Sequence, residues 1–312
     1  MEQKKVIALG FFDGVHRGHA ALLSCVARRA KELDAIPAAV TFDTHPSALL
    51  TGSPVPLINT IQDRAGLMRR LFGIREVEVA HFDDRMLHQP WREFVTDYLV
   101  KEQNACHLVC GHDFHFGYRG EGDPQRLRAL CAELGLGCDV MEKVEREGIT
   151  VSSTYIRTLL ADGEAERAKA YLGHPHVLTG TVVRGKQLGR TIGIPTANLL
   201  LPEGLVQPAF GVYASEVVLP DGTRRPAVTN IGTRPTVDDG DAVTVEPWIL
   251  DFDGDLYDRE LRLELHARLR GERKFDGLEA LRQEILRNAQ QTRDYFERLK
   301  AEEREAPHGT EG

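Results

Sequence analysis

Two histidines, His16 and His19, follow a short apolar strand near the start of the chain. They lie in the stretch "ALGFFDGVHRGHAALL", where Gly10 and Gly14 mark a turn and Gly18 lies between the histidines. A strand, a glycine-rich turn and a helix start form an anion site, because unpaired backbone N–H groups and the helix dipole face the same point. Two imidazoles there can donate hydrogen bonds to charge that develops on phosphorus, and Gly18 lets a ligand approach the backbone. The alternative is a pair of surface histidines that cap a turn.

A second group of residues whose types can bind phosphate lies in the stretch "VSSTYIR". Ser152, Ser153 and Thr154 offer hydroxyl groups at the start of a predicted helix, and Arg157 follows one turn later. Such a cap can hold a polyphosphate as readily as it satisfies the first N–H groups of the helix. The structural alternative explains the two serines, but it does not explain Arg157.

A third group lies in "GTVVRGKQLGRTIGIPTANLLLP". Glycines with their backbone N–H groups can wrap a nucleotide phosphate, and Thr196 with Asn198 can supply hard oxygen ligands to Mg²⁺. As composition alone, the same stretch is compatible with a β-meander that has tight turns.

The secondary-structure elements that must position these residues follow two different sequence patterns. Through residue 173, apolar strands alternate with amphipathic helices, which predicts a doubly wound parallel sheet. From residue 174, short β-branched runs separated by Gly, Pro and Asp predict a small antiparallel β-barrel, followed by a terminal helix. We therefore predict domains over 1–173 and 174–300, with a disordered tail over 301–312.

The composition of the 312 residues limits the classes of function. The net charge of −8 excludes an overall basic surface for nucleic acid, and no apolar run has the length of a membrane span. The start of the chain lacks the pattern of a signal peptide. The five cysteines lie in apolar segments, and buried reduced thiols are a better interpretation than a metal pair at Cys106 and Cys110. We expect a cytoplasmic protein without nucleic-acid or membrane partners.

The stretch "GFFDGVHRGH" resembles the H-x-G-H motif of the nucleotidyltransferase superfamily. It is most similar to the "G-x-FDGVH-x-GH" form of bacterial FAD synthetases. The resemblance implies direct adenylyl transfer, in which His16 and His19 are catalytic and steady the α-phosphate of ATP, and no covalent enzyme intermediate forms.

Three further stretches agree with FAD synthetases in chain order. "TFDTHP" resembles "F-x-PHP" with Thr44 in place of proline, "GHDFHFGYRGEGD" resembles "G-x-DF-x-FG-x-x-R-x-GD" with Arg119 one place early, and "SSTYIR" resembles "SST-x-IR". The ATP and FMN contacts that the resemblance implies are Gly10, Phe12, Asp13, Gly14, Gly18, Phe42, His45, Gly111, Asp113, Phe114, Ser152, Ser153, Thr154 and Arg157.

The second half of the chain resembles riboflavin kinases through "GKQLGRTIGIPTAN", which is similar to "G-x-x-LGR-x-x-GxPTAN". The resemblance implies transfer of the γ-phosphate of MgATP to riboflavin on a six-stranded barrel, with Thr196 and Asn198 as the metal ligands. The ATP and flavin contacts that it implies are Gly185, Gly189, Arg190, Gly193, Pro195, Asn230 and Arg270.

The kinase resemblance also implies that Glu246 is the general base for the ribityl hydroxyl. A lone strand glutamate is normally solvated, but burial in the apolar "TVEPWIL" would raise its pKa toward a useful value. Pro247, Trp248 and Asp258 depart from the family pattern "VE-x-H-x-LDF-x-x-x-LYG". A proline confines a strand to an edge or a bulge. Without a bulge, strand alternation places Glu246 and Trp248 on the same face.

Together the two resemblances imply a bifunctional flavin-cofactor enzyme. Its substrates would be riboflavin, FMN and ATP, with flavins as substrate and product, Mg²⁺ accompanying ATP, and a monomer or weak homo-oligomer as the working form. Two alternatives stay open. The barrel could be an inactive flavin-binding module, against which the retained Glu246 and "PTAN" argue. The first domain could adenylylate another phosphorylated molecule, against which the "FDGVH" context argues.

Overall fold

The computed structural model describes residues 3–45, 48, 52–185, 189, 193–235 and 241–305. The chain divides into two compact units. The first comprises Met1–Ile156 and Tyr171–Gly173, and the second comprises Arg157–Ala170 and His174–Gly312. The division groups Arg157–Ala170 with the later residues, whereas the boundary that we predicted falls after residue 173.

The first unit is built on a five-stranded parallel sheet with the order β3-β2-β1-β4-β5. The order reverses between β1 and β4, which is the switch point of a doubly wound sheet. Val6, Ile7 and Ala8 are all fully buried, as expected for a parallel strand that is covered on both faces. The strands are β1 (Lys5–Leu9), β2 (Ile36–Phe42), β3 (Glu76–Ala80), β4 (Ala105–Gly111) and β5 (Gly137–Met141).

Helices connect these strands and begin at polar caps. The Thr60 hydroxyl and the Asp123 carboxylate each accept a backbone N–H bond at a helix start, which satisfies a donor that has no partner within the helix. The helices are α1 (Arg17–Glu32), α2 (Ile61–Phe72), α3 (Asp84–Leu87), α4 (Trp91–Glu93, continued by a π-helix over Phe94–Glu102) and α5 (Pro124–Leu134). The chain then forms a small antiparallel pair, β6 (Glu145–Arg146) with β7 (Ile149–Thr150).

The second unit contains a closed antiparallel barrel with the order β10-β11-β12-β9-β8-β13. Alternate residues of its strands, such as Leu261, Leu263 and Leu265, fill the interior. The predicted fold class is therefore confirmed. The barrel strands are β8 (His176–Val183), β9 (Asn198–Leu200), β10 (Gly211–Val218), β11 (Arg224–Pro235), β12 (Asp241–Ile249) and β13 (Glu260–Arg270).

Three more helices complete the described chain: α6 (Ser153–Ala161), α7 (Ala165–Leu172) and α8 (Leu278–Glu305). Ala165 is buried with the barrel core. The prediction that the tail begins at residue 301 is wrong for 301–305, which continue α8, because Ala, Glu and Arg are strong helix formers. Among the described helices, none combines the length and apolar character that crossing a membrane requires.

Candidate active sites

The chain between β1 and α1 makes a tight turn with an unusual backbone. Phe12, Gly14 and Val15 have positive φ angles of 57°, 81° and 43°. Glycine adopts such angles at little cost, but Phe12 and Val15 hold conformations that the surrounding structure must enforce. The turn follows the carboxyl end of β1, beside the switch point, where open α/β sheets bind their ligands.

His16 and His19 form a stacked pair at the start of α1. Their ring centroids are 3.6 Å apart and their planes differ by 14°. Nδ1 of His16 accepts a hydrogen bond from the backbone N–H of His19 at 3.3 Å, so His16 is the N-cap of α1. Because Nδ1 of His16 accepts a hydrogen bond, the proton of a neutral His16 imidazole lies on Nε2. This N–H group can donate a hydrogen bond to a ligand.

The environment of His19 keeps its imidazole uncharged. Burial, then the charges of His16 and Arg64, lower the pKa of His19 well below its ordinary value. Nδ1 of His19 is buried and has no hydrogen-bond partner among the described residues. Buried polar atoms without partners are exceptions in proteins, and functional sites are one place where they occur.

Asp13 and Ser153 anchor the turn that carries the histidines. Oδ1 of Asp13 accepts hydrogen bonds from the backbone N–H groups of Ile58 at 2.9 Å and Asn59 at 3.3 Å. The Ser153 hydroxyl donates to the Asp13 carbonyl at 2.9 Å. The structure thus brings Ser153 to the histidine turn, and it gives the Asp13 carboxylate a structural role that the sequence did not predict.

Other predicted contacts of the first unit lie at the ends of β1 and β2. Gly10 packs against the Phe12 ring, because a Cβ atom at Gly10 would lie 3.1 Å from Cζ of that ring. Phe42 is the last residue of β2 and is buried. The His45 imidazole contacts the Phe11 ring edge-on, with centroids 4.6 Å apart.

The predicted residues after β4 follow the strand that borders the switch point. Gly111 ends β4, and a Cβ atom there would lie 3.0 Å from Oδ1 of Asp113. The Phe114 ring stacks on Phe116, with centroids 5.3 Å apart. Gly111 therefore lies at the same sheet edge as the histidine turn.

The predicted polyphosphate cap at the start of α6 forms as a helix cap. The Ser152 hydroxyl accepts a hydrogen bond from the backbone N–H of Tyr155 at 3.3 Å. Thr154 is exposed in the first turn of the helix. Arg157 is half-buried one turn after Ser153 and falls in the second unit of the division.

Sequence reasoning missed Arg64, which is fully buried in α2. Its Nη1 atom donates to the Phe11 carbonyl, the Thr41 hydroxyl and the Phe42 carbonyl. The available signal was an arginine within an apolar helical stripe, three and four residues before the buried Leu67 and Met68.

The second unit has a cleft of about 370 Å³ beside the "PTAN" segment. Thr196 and Pro195 line it together with Gly193, and the carboxylate-bearing residues Asp253 and Asp255 lie on the loop that also lines it. Tyr257 lines the same cleft, and the Arg184 guanidinium lies 4.5 Å from the centroid of its ring. The structure therefore gathers two predicted ATP or flavin contacts, Gly193 and Pro195, and one predicted metal ligand, Thr196, around one cleft of the second unit.

Two predicted glycines pack against the proposed metal ligands. A Cβ atom at Gly185 would lie 2.5 Å from Nδ2 of Asn198, so the Asn198 amide fills the space that this glycine leaves. At Gly189 a Cβ atom would lie 2.1 Å from the Ile194 carbonyl oxygen and 3.5 Å from the Thr196 hydroxyl. Both glycines are thus required for close packing around Asn198 and Thr196. Arg190, a further predicted contact, lies outside the described residues.

Glu246 and Asn230 are paired directly across β12 and β11. Val245 and Ile249 point into the barrel core, so the half-buried Glu246 points away from it, as does the exposed Asn230. The structure therefore brings the predicted base together with one predicted ligand contact.

Pro247 introduces neither a bulge nor a break in β12. The pairing with β11 runs without a shift, and Pro247 is opposite Thr229. The register excludes a bulge, and the expectation of an edge fits the other side of the strand. There β12 pairs with β9 only at Val245, so no partner strand requires a backbone donor from Pro247. Trp248 consequently shares a face with Glu246, as alternation predicts. It packs against the buried cluster of Val212, Val228, Leu250 and Ala289, the last of which belongs to α8.

Two other departures from the family patterns, Asp258 and Arg119, lie at positions with a left-handed backbone. Asp258 stands where riboflavin kinases have glycine, and its φ of 61° is in the left-handed region. Asp tolerates that region better than most residues do. Arg119 has a φ of 53° beside Gly120 at 67°, and its guanidinium lies 5.1 Å from the centroid of the Tyr118 ring.

Arg270 is held by the terminal helix. Its Nε atom donates to Oδ1 of Asn288 at 3.2 Å and lies 3.4 Å from Oε1 of Glu284. Burial lowers the pKa of Arg270. The described contacts of this predicted ligand residue are therefore structural.

The oxygen donors of the second unit suit a hard cation. The hydroxyl of Thr196 and the amide oxygen of Asn198 are ligand types that Mg²⁺ accepts together with phosphates and water. Elsewhere in the described chain, Glu216, Glu264 and His266 have ligating atoms within 4.8 Å of one another. Arg224 already bridges those two carboxylates, so we assign no metal there.

Comparisons with known proteins agree with this division of sites. The FAD synthetase family model matches residues 1–155, and the riboflavin kinase family model matches residues 172–296. A Streptococcus pneumoniae crystal structure described as a macrolide-efflux protein has a TM-score of 0.82 and 29% identity, over 94% of this chain and 95% of that one.

Curated relatives match over nearly their whole lengths. Bifunctional riboflavin kinase/FMN adenylyltransferases from Listeria monocytogenes and Escherichia coli K12 are each 35% identical, covering 95% and 93% of this chain and 93% and 92% of the relatives. The Bacillus subtilis protein of the same name is 33% identical, over 96% of this chain and 95% of its own. The chain belongs to the bifunctional riboflavin kinase/FMN adenylyltransferase family.

Proposed function

We propose that this chain converts riboflavin to FAD in two ATP-dependent steps. The barrel unit transfers the γ-phosphate of ATP to riboflavin and so makes FMN. The sheet unit then joins FMN to the adenylyl group of a second ATP and releases pyrophosphate. Family membership supports both activities, and the stacked His16–His19 pair at the switch point is the observation that carries the second one.

In the adenylyl transfer, an oxygen of the FMN phosphate attacks the α-phosphorus of ATP. The new P–O bond forms as the bond from the α-phosphorus to the bridging oxygen breaks, and the electron pair leaves with pyrophosphate. Nε2–H of His16 and the imidazole of His19 donate hydrogen bonds to the oxygens on which charge accumulates. The first backbone N–H groups of α1 also stabilise this negative charge. The adenylyl group passes directly from ATP to FMN, and no covalent enzyme intermediate forms.

In the phosphorylation, Glu246 accepts the proton of the riboflavin 5′-hydroxyl while that oxygen attacks the γ-phosphorus of ATP. Asn230, opposite Glu246, orients the hydroxyl or the flavin. Thr196 and Asn198 would hold Mg²⁺, which would supply positive charge to offset the charge on the transferred phosphoryl group. The retained Glu246 and the intact "PTAN" segment favour this catalytic role over an inactive flavin-binding barrel.

The cellular setting is part of the proposal. All five cysteines are free thiols, and ATP is the donor in both steps, which supports action in the cytoplasm. We expect a monomer or a weak homo-oligomer that has no nucleic-acid or membrane partner.

The test is to incubate the purified chain with riboflavin, ATP and Mg²⁺ and to separate the products by chromatography. Both FMN and FAD should form, and omission of Mg²⁺ should stop both. Formation of FMN alone would refute the adenylyl transfer, and conversion of supplied FMN alone would refute the kinase step.

A further inference from the structure

Arg64 is the largest fully buried side chain of the described residues. Burial of a guanidinium is unfavourable unless hydrogen bonds or an opposite charge compensate it. Its Nε and Nη2 atoms have no hydrogen-bond partner among the described residues, and only Nη1 is bonded. The fold therefore keeps a buried positive charge that its own contacts compensate only in part.

The bonded end of Arg64 ties together the carboxyl ends of two neighbouring strands. Nη1 donates to the Phe11 carbonyl at 2.8 Å, to the Thr41 hydroxyl at 2.9 Å and to the Phe42 carbonyl at 3.2 Å. The Thr41 hydroxyl in turn donates to the Phe11 carbonyl at 2.8 Å. These bonds fix the last residue before the strained backbone that begins at Phe12.

The same guanidinium also supports an aromatic contact at this edge of the sheet. Its Cζ atom lies 4.2 Å from the centroid of the Phe11 ring, a distance that allows a cation–π interaction. The Phe11 ring meets the His45 imidazole edge-on. Arg64 thus supports the backbone of the histidine turn and the ring that borders it.

The charge of Arg64 also acts on His19. Burial is the largest cause of the lowered His19 pKa, and the charges of His16 and Arg64 add to it. Asp13 is the acid of the same turn, and its charge acts on Arg64 in the opposite direction to burial. Burial lowers the pKa of Arg64 only to about 10, so the guanidinium stays charged at neutral pH while His19 is neutral.

We propose that Arg64 is a positioning residue for FMN adenylylation, which fixes the Phe11 end of the histidine turn and places a permanent positive charge behind the paired imidazoles. The inference rests on the proposed adenylyl transfer at His16 and His19. The guanidinium is buried and does not touch ATP. Its charge favours the negative charge that accumulates on the α-phosphate oxygens, and it does so without a proton on His19.

The experiment uses three variants of the full chain. Arg64→Met removes the charge and keeps a long apolar side chain. Arg64→Lys keeps the charge but loses the planar guanidinium and its several N–H donors. Thr41→Val is the matched control, because it removes one acceptor of Arg64 and leaves the charge in place. Riboflavin phosphorylation and FAD formation from supplied FMN are measured for each. The titration of His19 is followed by NMR on isotopically labelled histidine, with signals assigned from His16→Asn and His19→Asn.

We expect Arg64→Met to lower kcat for FAD formation by roughly 10- to 100-fold and to raise the pH at which His19 titrates. Arg64→Lys should lose part of the rate and keep the wild-type titration, and Thr41→Val should keep the titration and most of the rate. Riboflavin phosphorylation should not change in any of them.

A purely structural role would lower thermal stability without moving the His19 titration, and that result in Arg64→Met would overturn the proposal. If Arg64→Met does not fold, a wild-type rate of FAD formation in Arg64→Lys overturns it instead. Absence of FAD formation by the wild-type chain would refute the proposed function, and full FAD formation by His19→Asn would refute the role of His19 on which this inference rests. An inactive His19→Asn beside an unchanged Arg64→Met refutes only this inference.

Discussion

Gly18 lies against the imidazole of His16, and a Cβ atom at Gly18 would approach its Cε1 to 3.0 Å and its Nδ1 to 3.1 Å. The glycine between the two histidines therefore makes room for the ring that stacks on His19. A methyl group there would push against a ring that is itself buried and held as the cap of α1. The spacing of the motif is thus a packing requirement as well as a route for a ligand to the backbone.

The first prediction concerns Gly18→Ala. The added methyl should displace the His16 ring and lower kcat for FAD formation by about 10-fold or more, because small misplacements at a reacting centre are costly. Alanine is the better helix former by about 1 kcal/mol, so the melting temperature should not fall. Gly66→Ala in α2 is the control, since its methyl would meet only Nη1 at the end of the Arg70 side chain, at 3.0 Å. Equal rates for wild type and Gly18→Ala would contradict the packing argument.

The second prediction concerns the histidines themselves. His19→Ala should raise the barrier to adenylyl transfer by roughly 2–4 kcal/mol, as expected for loss of one donor to developing charge. Riboflavin phosphorylation in the same preparation should stay close to wild type. An equal loss of both activities would indicate misfolding or a single shared site.

The third prediction uses the pH dependence of stability at Asp139 in β5. Its hydrogen bond with Arg29, at 2.7 Å from Nε, lowers the pKa of Asp139 to about 2. The unfolded value is near 3.9, so this contribution is complete above about pH 4 and is lost as the pH falls toward 2. With allowance for partial exposure, Asp139→Asn should lower the free energy of unfolding by about 1–2 kcal/mol at pH 7. Urea unfolding should show the difference between wild type and variant shrinking below about pH 4, and a constant difference would be contrary evidence.

Much of the fold could be predicted from the sequence because its signals are local. The alternation of buried strands and amphipathic helices predicts the parallel sheet, and the β-branched runs predict most of the barrel. The three-residue strand Asn198–Leu200 was not identified as a strand, because so short an element has no measurable period. The end of α8 was placed too early, because a charged, exposed helix end has the composition of a disordered tail.

The candidate sites were predictable only in part. Motif spacing identified His16 and His19, but their stacking and the packing role of Gly18 depend on how the turn folds. The role of Arg64 depends on acceptors that two separate strands supply, and no pattern within α2 shows them. Asp258 departs from a family glycine, and only its φ angle explains how the chain tolerates it.

The fourth prediction concerns the segment before residue 174. Ala165 is buried with the barrel core, and the Leu160 carbonyl accepts a hydrogen bond from the backbone N–H of Ala209. Nζ of Lys169 donates a hydrogen bond to the Tyr295 hydroxyl at 3.3 Å. A fragment that begins at Arg157 keeps these contacts, and one that begins at His174 loses them. The longer fragment should melt at least about 4 °C higher, which corresponds to roughly 1 kcal/mol for a domain of this size. Identical melting curves would favour the boundary after residue 173.

The fifth prediction concerns Glu246, where the chain departs most from the riboflavin kinase pattern. Glu246→Gln keeps the shape of the side chain but loses the proton acceptor, so riboflavin should still bind while its phosphorylation slows by about 100-fold or more. FAD formation from supplied FMN should persist. Glu260→Gln, an exposed strand glutamate of the same barrel, should leave both activities unchanged.

The outcome at Glu246 also decides what Trp248 does. Because β12 keeps its register through Pro247, Trp248 shares the outer face with Glu246. It packs there against the buried cluster that includes Val228 and, from the terminal helix, Ala289. If Glu246 is the base, Trp248→Ala should weaken the kinase step by loosening the terminal helix beside it, and Trp248→Phe should restore most of the rate. Phosphorylation of riboflavin by Glu246→Gln at close to the wild-type rate would mean that Glu246 is not the base. The regular pairing of Glu246 with Asn230 would then support flavin binding alone, and the catalytic carboxylate would have to be sought among those of the cleft, Asp253 and Asp255.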